Sequence, residues 1–168
     1  HDALPISGNR EHPIYDFSLA VERVQAAVEA ARALPFPFML TARAENLLHG
    51  RNDLDDTIKR LQAFEAVGAD VLYAPGVYDA KTIRTVTASL GKPFNLVMGF
   101  ADPTLTVDQI AAAGVKRIST GGAMERHALN AFLRSAREMK DKGSFSYVRD
   151  MAPVKEVRAA FNGSVPAP

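Results

Sequence analysis

Arg43, Glu45 and Asn46 occupy three of the last four positions of Phe38-Met-Leu-Thr-Ala-Arg-Ala-Glu-Asn46, a stretch that begins with an unbroken apolar run. A run apolar on both faces fits a parallel strand covered by helices. Ligands in α/β folds bind at the carboxyl ends of such strands. A guanidinium there offers a rigid fork of donors matched to anionic groups such as carboxylate or phosphate. Arg43 also fits a structural role, paired with Glu45 or Asp70. Glu45 and Asn46 read as site residues or as turn and capping residues. Asn95 interrupts the apolar segment Phe94–Met98. An amide is disfavoured in a strand unless it has a partner, so it reads first as a satisfied core group.

The remaining polar candidates carry less. His49 can cover a bound anion or simply sit exposed in its loop. His12 and His127 have no neighbour at metal-ligand spacing. Gly121-Gly122 before a helix can present N–H groups to an anion or make a tight turn. Asp55-Asp56 falls in the first turn of a helix, where carboxylates complement the dipole. Met124, Phe132 and Met139 read as core or interface residues. There are no cysteines, which removes disulfides, thiolate metal sites and a thiol nucleophile and fits a reducing cytoplasm.

These residues need a scaffold. The chain has 168 residues, 47% hydrophobic and 23% charged, enough for one domain with a real core. A net charge of +1 gives no basic field for nucleic acid. No apolar run reaches the ~18 residues of a membrane span, and no signal peptide is visible. The missing initiator Met and abrupt start lead us to expect a chain that begins inside a longer protein.

Residues 1–14 read as loop. Asp16 or Ser18 caps a helix to about Leu34, which Pro35 and Pro37 end before a strand over 38–43. A helix over 54–67 follows, opened by Asp53 or Asp55 and closed by Gly68. Its expected buried side is Leu54, Ile58, Leu61, Ala63, Phe64 and Ala66. A strand over 69–74 is turned by Pro75-Gly76. A helix over 78–90, a strand over 94–98, a short helix capped by Thr106, a strand over 115–119 and a long helix over 123–141 complete the series. Residues 144–150 read as a linker, Pro153 opens a last helix to Phe161, and the tail from 162 reads as disordered. Alternating strands and helices imply a parallel sheet. Four strand–helix units make half of an eight-unit barrel, and a free four-stranded sheet would leave two exposed edges.

Three patterns resemble the isocitrate lyase / phosphoenolpyruvate mutase superfamily. They are Thr41-Ala-Arg-Ala-Glu-Asn46 with Leu54–Asp70, then Val71-Leu-Tyr-Ala-Pro-Gly-Val77, then Pro93-Phe-Asn95 with Ala113–Gly122. The likeness runs from about Tyr15 to Gly143. It implies the C-terminal half of a (β/α)8 TIM barrel, the fifth to eighth strands with their helices, over 15–143. A linker, terminal helix and tail occupy 144–168. It also implies a magnesium-dependent lyase or mutase that acts at C–C or P–C bonds of small 2-oxo or hydroxy carboxylates or phosphonates. Arg43 would hold a substrate anion, Asn95 would hydrogen-bond the same ligand, and Glu45 and Asn46 would line the site. Association of copies through the C-terminal helices is implied too.

The family's metal-binding acids and catalytic-cysteine loop belong to the first half of the barrel. No magnesium is therefore expected on this chain alone, and no catalytic residue is assigned. Asp2 aligns with the end of a Glu-Asp pair whose glutamate is replaced by His1. Pro75-Gly76 resembles a branch that lacks the glutamate found there in lyases. The rival expectations are a non-catalytic half-barrel or oligomerisation module, and a small-ligand binder on a flavodoxin-like sheet.

Overall fold

A computed structural model describes residues 2–3, 9, 11–99 and 101–162. The chain divides into two compact units, His1–Ala123 and Met124–Pro168. The first unit holds a five-stranded parallel sheet of β1 (Asp2–Ala3), β2 (Thr41–Arg43), β3 (Val71–Tyr73), β4 (Phe94–Val97) and β5 (Arg117–Ser119), in sequential order. Between them run α1 (Phe17–Arg32), α2 (Leu54–Ala66), α3 (Ala80–Ala88) and α4 (Val107–Ala112).

Side chains alternate between the faces of a strand. Ala42, Leu72, Phe94 and Leu96 enter the hydrophobic core with Val24, Leu61, Phe64, Ile83, Val86 and Ile110 of the helices. Phe64 is fully buried; truncating such a side chain to alanine costs about 3–5 kcal/mol. The intervening positions Arg43, Tyr73 and Asn95 lie on the other face.

Three expectations need correction. Ladder pairing within β2 begins at Thr41, not Phe38. Pro37 has no N–H to give, and the Leu40 N–H goes instead to the Asp70 carboxylate at 2.8 Å. Met39 is 66% exposed, so this entry to the strand is not buried on both faces. Residues 2–3, read as loop, form β1 and pair with Thr41 and Ala42. The stretch 144–150 is not a bare linker: Ser146–Asp150 is a 3-10 helix. The Glu138 carboxylate sets its start, accepting from Ser146 N–H at 2.5 Å and Ser144 Oγ at 2.7 Å.

Local signals held. Asp53 caps α2 by accepting from the Asp56 N–H, and Gly68 follows that helix with φ +101°. Thr106 and Gln109 form a reciprocal capping box on α4. In the second unit α5 (Ala123–Lys142) and α6 (Val154–Phe161) bury none of their residues. Residues 163–168, read as a disordered tail, lie outside the described residues.

Candidate functional site

Arg43 is the last residue of β2 and Tyr73 the last of β3, and the two are register partners. The Arg43 guanidinium lies over the Tyr73 ring, with Cζ 4.8 Å from its centroid. Its Nε donates to Glu45 Oε1 at 2.6 Å. The Arg43 side chain is 20% exposed and Glu45 2%. Of the two partners weighed for Arg43, Glu45 is the one observed here. Asp70 pairs with Arg32 at 2.7 Å.

Asn46 is also buried. Its Nδ2 donates to Asp56 Oδ2 in a short bond, and the same oxygen accepts from Arg60 Nε at 2.8 Å. Arg60 is 5% exposed, and its Nη1 donates to the Tyr15 carbonyl at 3.0 Å. The loop after β2 is therefore tied through α2 to the segment that precedes α1. Asn46 Oδ1 is buried with no hydrogen-bond partner among the described residues.

Asn95 is 1% exposed and satisfied at both ends of its amide. Arg117 Nη1 donates to its Oδ1 at 2.9 Å, and its Nδ2 donates to Ser119 Oγ at 3.1 Å. Arg43, Tyr73, Asn95 and Arg117 follow one another across four strands as register partners.

Arg43, Glu45 and Asn46 thus come together at the end of β2, and Asn95 shares a sheet row with Arg43. Neither Tyr73 and Arg117 nor the buried Arg60 stands out in the sequence. Only strand register could have found the first two. His49 is exposed. At Gly121-Gly122, the Thr120 carbonyl accepts from the Ala123 N–H at 3.1 Å and closes a turn.

Among the described residues the donor set does not fit magnesium. That ion takes six oxygens in near-octahedral order, usually with carboxylates among them. Among the described residues no three His, Cys, Asp or Glu side chains converge on one point. Glu45 is held by Arg43, and Asp56 by Asn46 and Arg60. The orphaned Asn46 Oδ1 is a single neutral donor. The Asp2 side chain lies outside what the structure describes.

The model of the phosphoenolpyruvate phosphomutase family matches residues 2–140. The chain belongs to that family. It is 28% identical over 142 residues to an oxaloacetate decarboxylase of Paraburkholderia xenovorans, covering 84% of this chain and 46% of that protein. It superposes with a TM-score of 0.90 on a candidate lyase/mutase from Burkholderia cenocepacia J2315, at 52% identity, covering 95% of this chain and 58% of the other. A phosphonopyruvate hydrolase in complex with oxalate and Mg²⁺ shares the fold, with a TM-score of 0.72 at 20% identity over 96% of this chain and 57% of that one.

The chain spans less than half the length of the oxaloacetate decarboxylases it matches. The expected superfamily and part-barrel fold are both borne out. Among the described residues, no helix is long and apolar enough to cross a membrane.

Proposed function

We propose that this chain supplies the anion-holding part of a lyase or mutase barrel. The substrates are small 2-oxo or hydroxy carboxylates or phosphonates, and the bond cleaved or formed is C–C or P–C. The observation that carries the reading is the placement of Arg43. It ends a parallel strand, with its guanidinium fixed by a buried carboxylate at Nε and by the face of Tyr73. A guanidinium fixed in this way enters the encounter with an anion already ordered, so little freedom is lost on binding.

Glu45 and Asn46 act in this reading by holding the loop, and Asn95 belongs to the same face. Family membership and the oxaloacetate decarboxylase relatives support the substrate class. The share this reading assigns to the chain is binding and orientation of the substrate.

Full-length protein assayed with oxaloacetate, 2-methylisocitrate and phosphonopyruvate tests the reading. Arg43→Ala alone would strand the buried Glu45, so the informative variants are Arg43→Lys and the double change Arg43→Gln with Glu45→Gln. A lost charge-assisted fork should lower kcat/KM for the accepted substrate by roughly 10- to 100-fold in each. Unchanged kcat/KM in both removes Arg43 from the site.

One observation favours a second reading, an oligomerisation module. Leu129, Phe132 and Phe161 stand exposed on helices that bury nothing. Full-length protein that associates but neither turns over nor binds any of these acids would favour it.

A further inference from the structure

Arg60 is buried on α2, and its planar guanidinium joins two segments of the chain. Its Nε donates to Asp56 Oδ2 at 2.8 Å, and its Nη1 donates to the Tyr15 carbonyl at 3.0 Å. The guanidinium also stands over the ring of Phe17, the first residue of α1, 5.8 Å from its centroid. Asp56 Oδ2 takes a second bond, from Asn46 Nδ2. Tyr15 belongs to the connection from β1 to α1, and Asn46 to the connection from β2 to α2. Strand-to-helix connections are the class that carries ligand contacts in parallel α/β folds.

Asn46 is a fixed point of its loop. Its carbonyl accepts from the Arg51 N–H at 2.9 Å, while Asp56 holds its amide nitrogen. A carboxylate only accepts, so it also fixes which way the amide points. Glu45 directly precedes Asn46, and Glu45 holds Arg43 Nε. A path from Arg60 to Arg43 thus runs through Asp56, Asn46 and Glu45. A displaced loop carries the Glu45 carboxylate with it and turns the guanidinium. Asp56 does not need Arg60 to stay charged. Its side chain is 33% exposed and sits in the first turn of α2, where the helix dipole favours a carboxylate. A buried arginine that spans both connections is better suited to fixing one against the other than to neutralising that charge.

We propose that Arg60 and Asp56 are positioning residues for Arg43. Together they lock the loop after β2 to the entry of α1, so that the guanidinium keeps one direction. The inference rests on the reading of Arg43 given above. Without the lock an anion still meets a guanidinium, but one that must be ordered on binding at a cost in affinity.

The test is steady-state kinetics of full-length protein on whichever of the three acids above it turns over, with amide hydrogen exchange read alongside. Arg60→Met keeps the buried stem and breaks both bonds. It should raise KM roughly three- to tenfold, the worth of about one net hydrogen bond, with kcat per folded molecule changed less. Exchange should quicken at the amides of His49, Gly50 and Arg51. Asp56→Ala should do the same, and the double variant should do no more, because the two act through one lock. Asp56→Asn keeps an oxygen for both donors and should stay near wild type.

A loss confined to apparent kcat and melting temperature, with KM unchanged, makes Arg60 a residue of stability alone and overturns the proposal. So does a raised KM with no change in exchange, or an Asp56→Asn variant as impaired as Asp56→Ala. If Arg43→Lys raises KM while Arg60→Met leaves it alone, the anion site stands and only the lock falls. If wild type turns over none of the acids, or neither Arg43 variant changes kcat/KM, both readings fall.

Discussion

Glu45 reaches back two residues to accept the Arg43 Nε–H at 2.6 Å, and the carboxylate is far more deeply buried than the guanidinium it holds. The asymmetry matters. The buried charge depends on its partner, whereas the Arg43 side chain keeps a fifth of its surface. A site that binds anions beside a buried carboxylate must fix both groups closely, or the carboxylate repels the ligand.

The first prediction concerns that dependence. Arg43→Ala should destabilise the fold by about 3–5 kcal/mol, because Glu45 is left charged and buried. Replacing both residues with glutamine should recover most of the loss, since two amides can share a hydrogen bond with no charge to desolvate. Urea denaturation of wild type, the single variant and the double variant measures the cycle. A single-variant cost below about 1 kcal/mol would mean that Glu45 reaches water or another donor.

What could be read from the sequence was local. Thr106 caps α4 as expected, and of Asp53 and Asp55 it is Asp53 that caps α2, each accepting from an N–H three residues on. The buried face of α2 shows the limit of that reading. Leu61 and Phe64 lie inside as the apolar period requires, but Ala66 is exposed and Thr57 and Arg60 are buried. Arg60 is tolerated because Asp56 and the Tyr15 carbonyl meet it, and the latter is 45 residues away. Hydrophobic periodicity carries no information about such partners. Asn46 was legible as a candidate, yet its bond to Asp56 crosses from loop to helix. Arg117 looked like an ordinary strand residue until register placed it beside Asn95.

Gly76 supports a second prediction. Its φ is +102°, and a Cβ there would fall 2.5 Å from Leu47 Cβ. Leu47 directly follows the Arg43–Asn46 segment, so the Pro75-Gly76 turn packs against the candidate site. Gly50 has φ +75° with nothing within 4 Å of a would-be Cβ. Gly50→Ala therefore reports backbone strain alone, roughly 1–2 kcal/mol. Gly76→Ala should cost clearly more, and each further kcal/mol should lower Tm by about 2–4 °C in a chain of this size. Thermal melts compare the two directly, and equal shifts would show that Leu47 gives way without cost.

Asp70 supplies a pH dependence. Burial pushes its carboxyl up, but the Arg32 hydrogen bond, the Leu40 N–H and the charges of Arg32 and Lys92 outweigh that and hold it below the ordinary aspartate range. A carboxyl depressed in the folded state stabilises the fold above its unfolded value, and that contribution is lost as pH falls through the folded value. Asp70→Asn should therefore cost stability at pH 7, with the difference from wild type shrinking below about pH 4. Arg32 is half exposed, so solvent screens the pair and the cost should be roughly 1 kcal/mol or less. The Leu40 N–H and Arg32 both draw on this carboxylate, and asparagine offers one acceptor oxygen where aspartate offers two. Part of the loss should therefore survive in high salt, which screens the charge but not the missing acceptor. Urea midpoints at pH 7 and pH 3, each with and without added salt, separate the two contributions. A wild-type-to-variant difference that stays constant between the two pH values would place Asp70's titration outside the folding equilibrium.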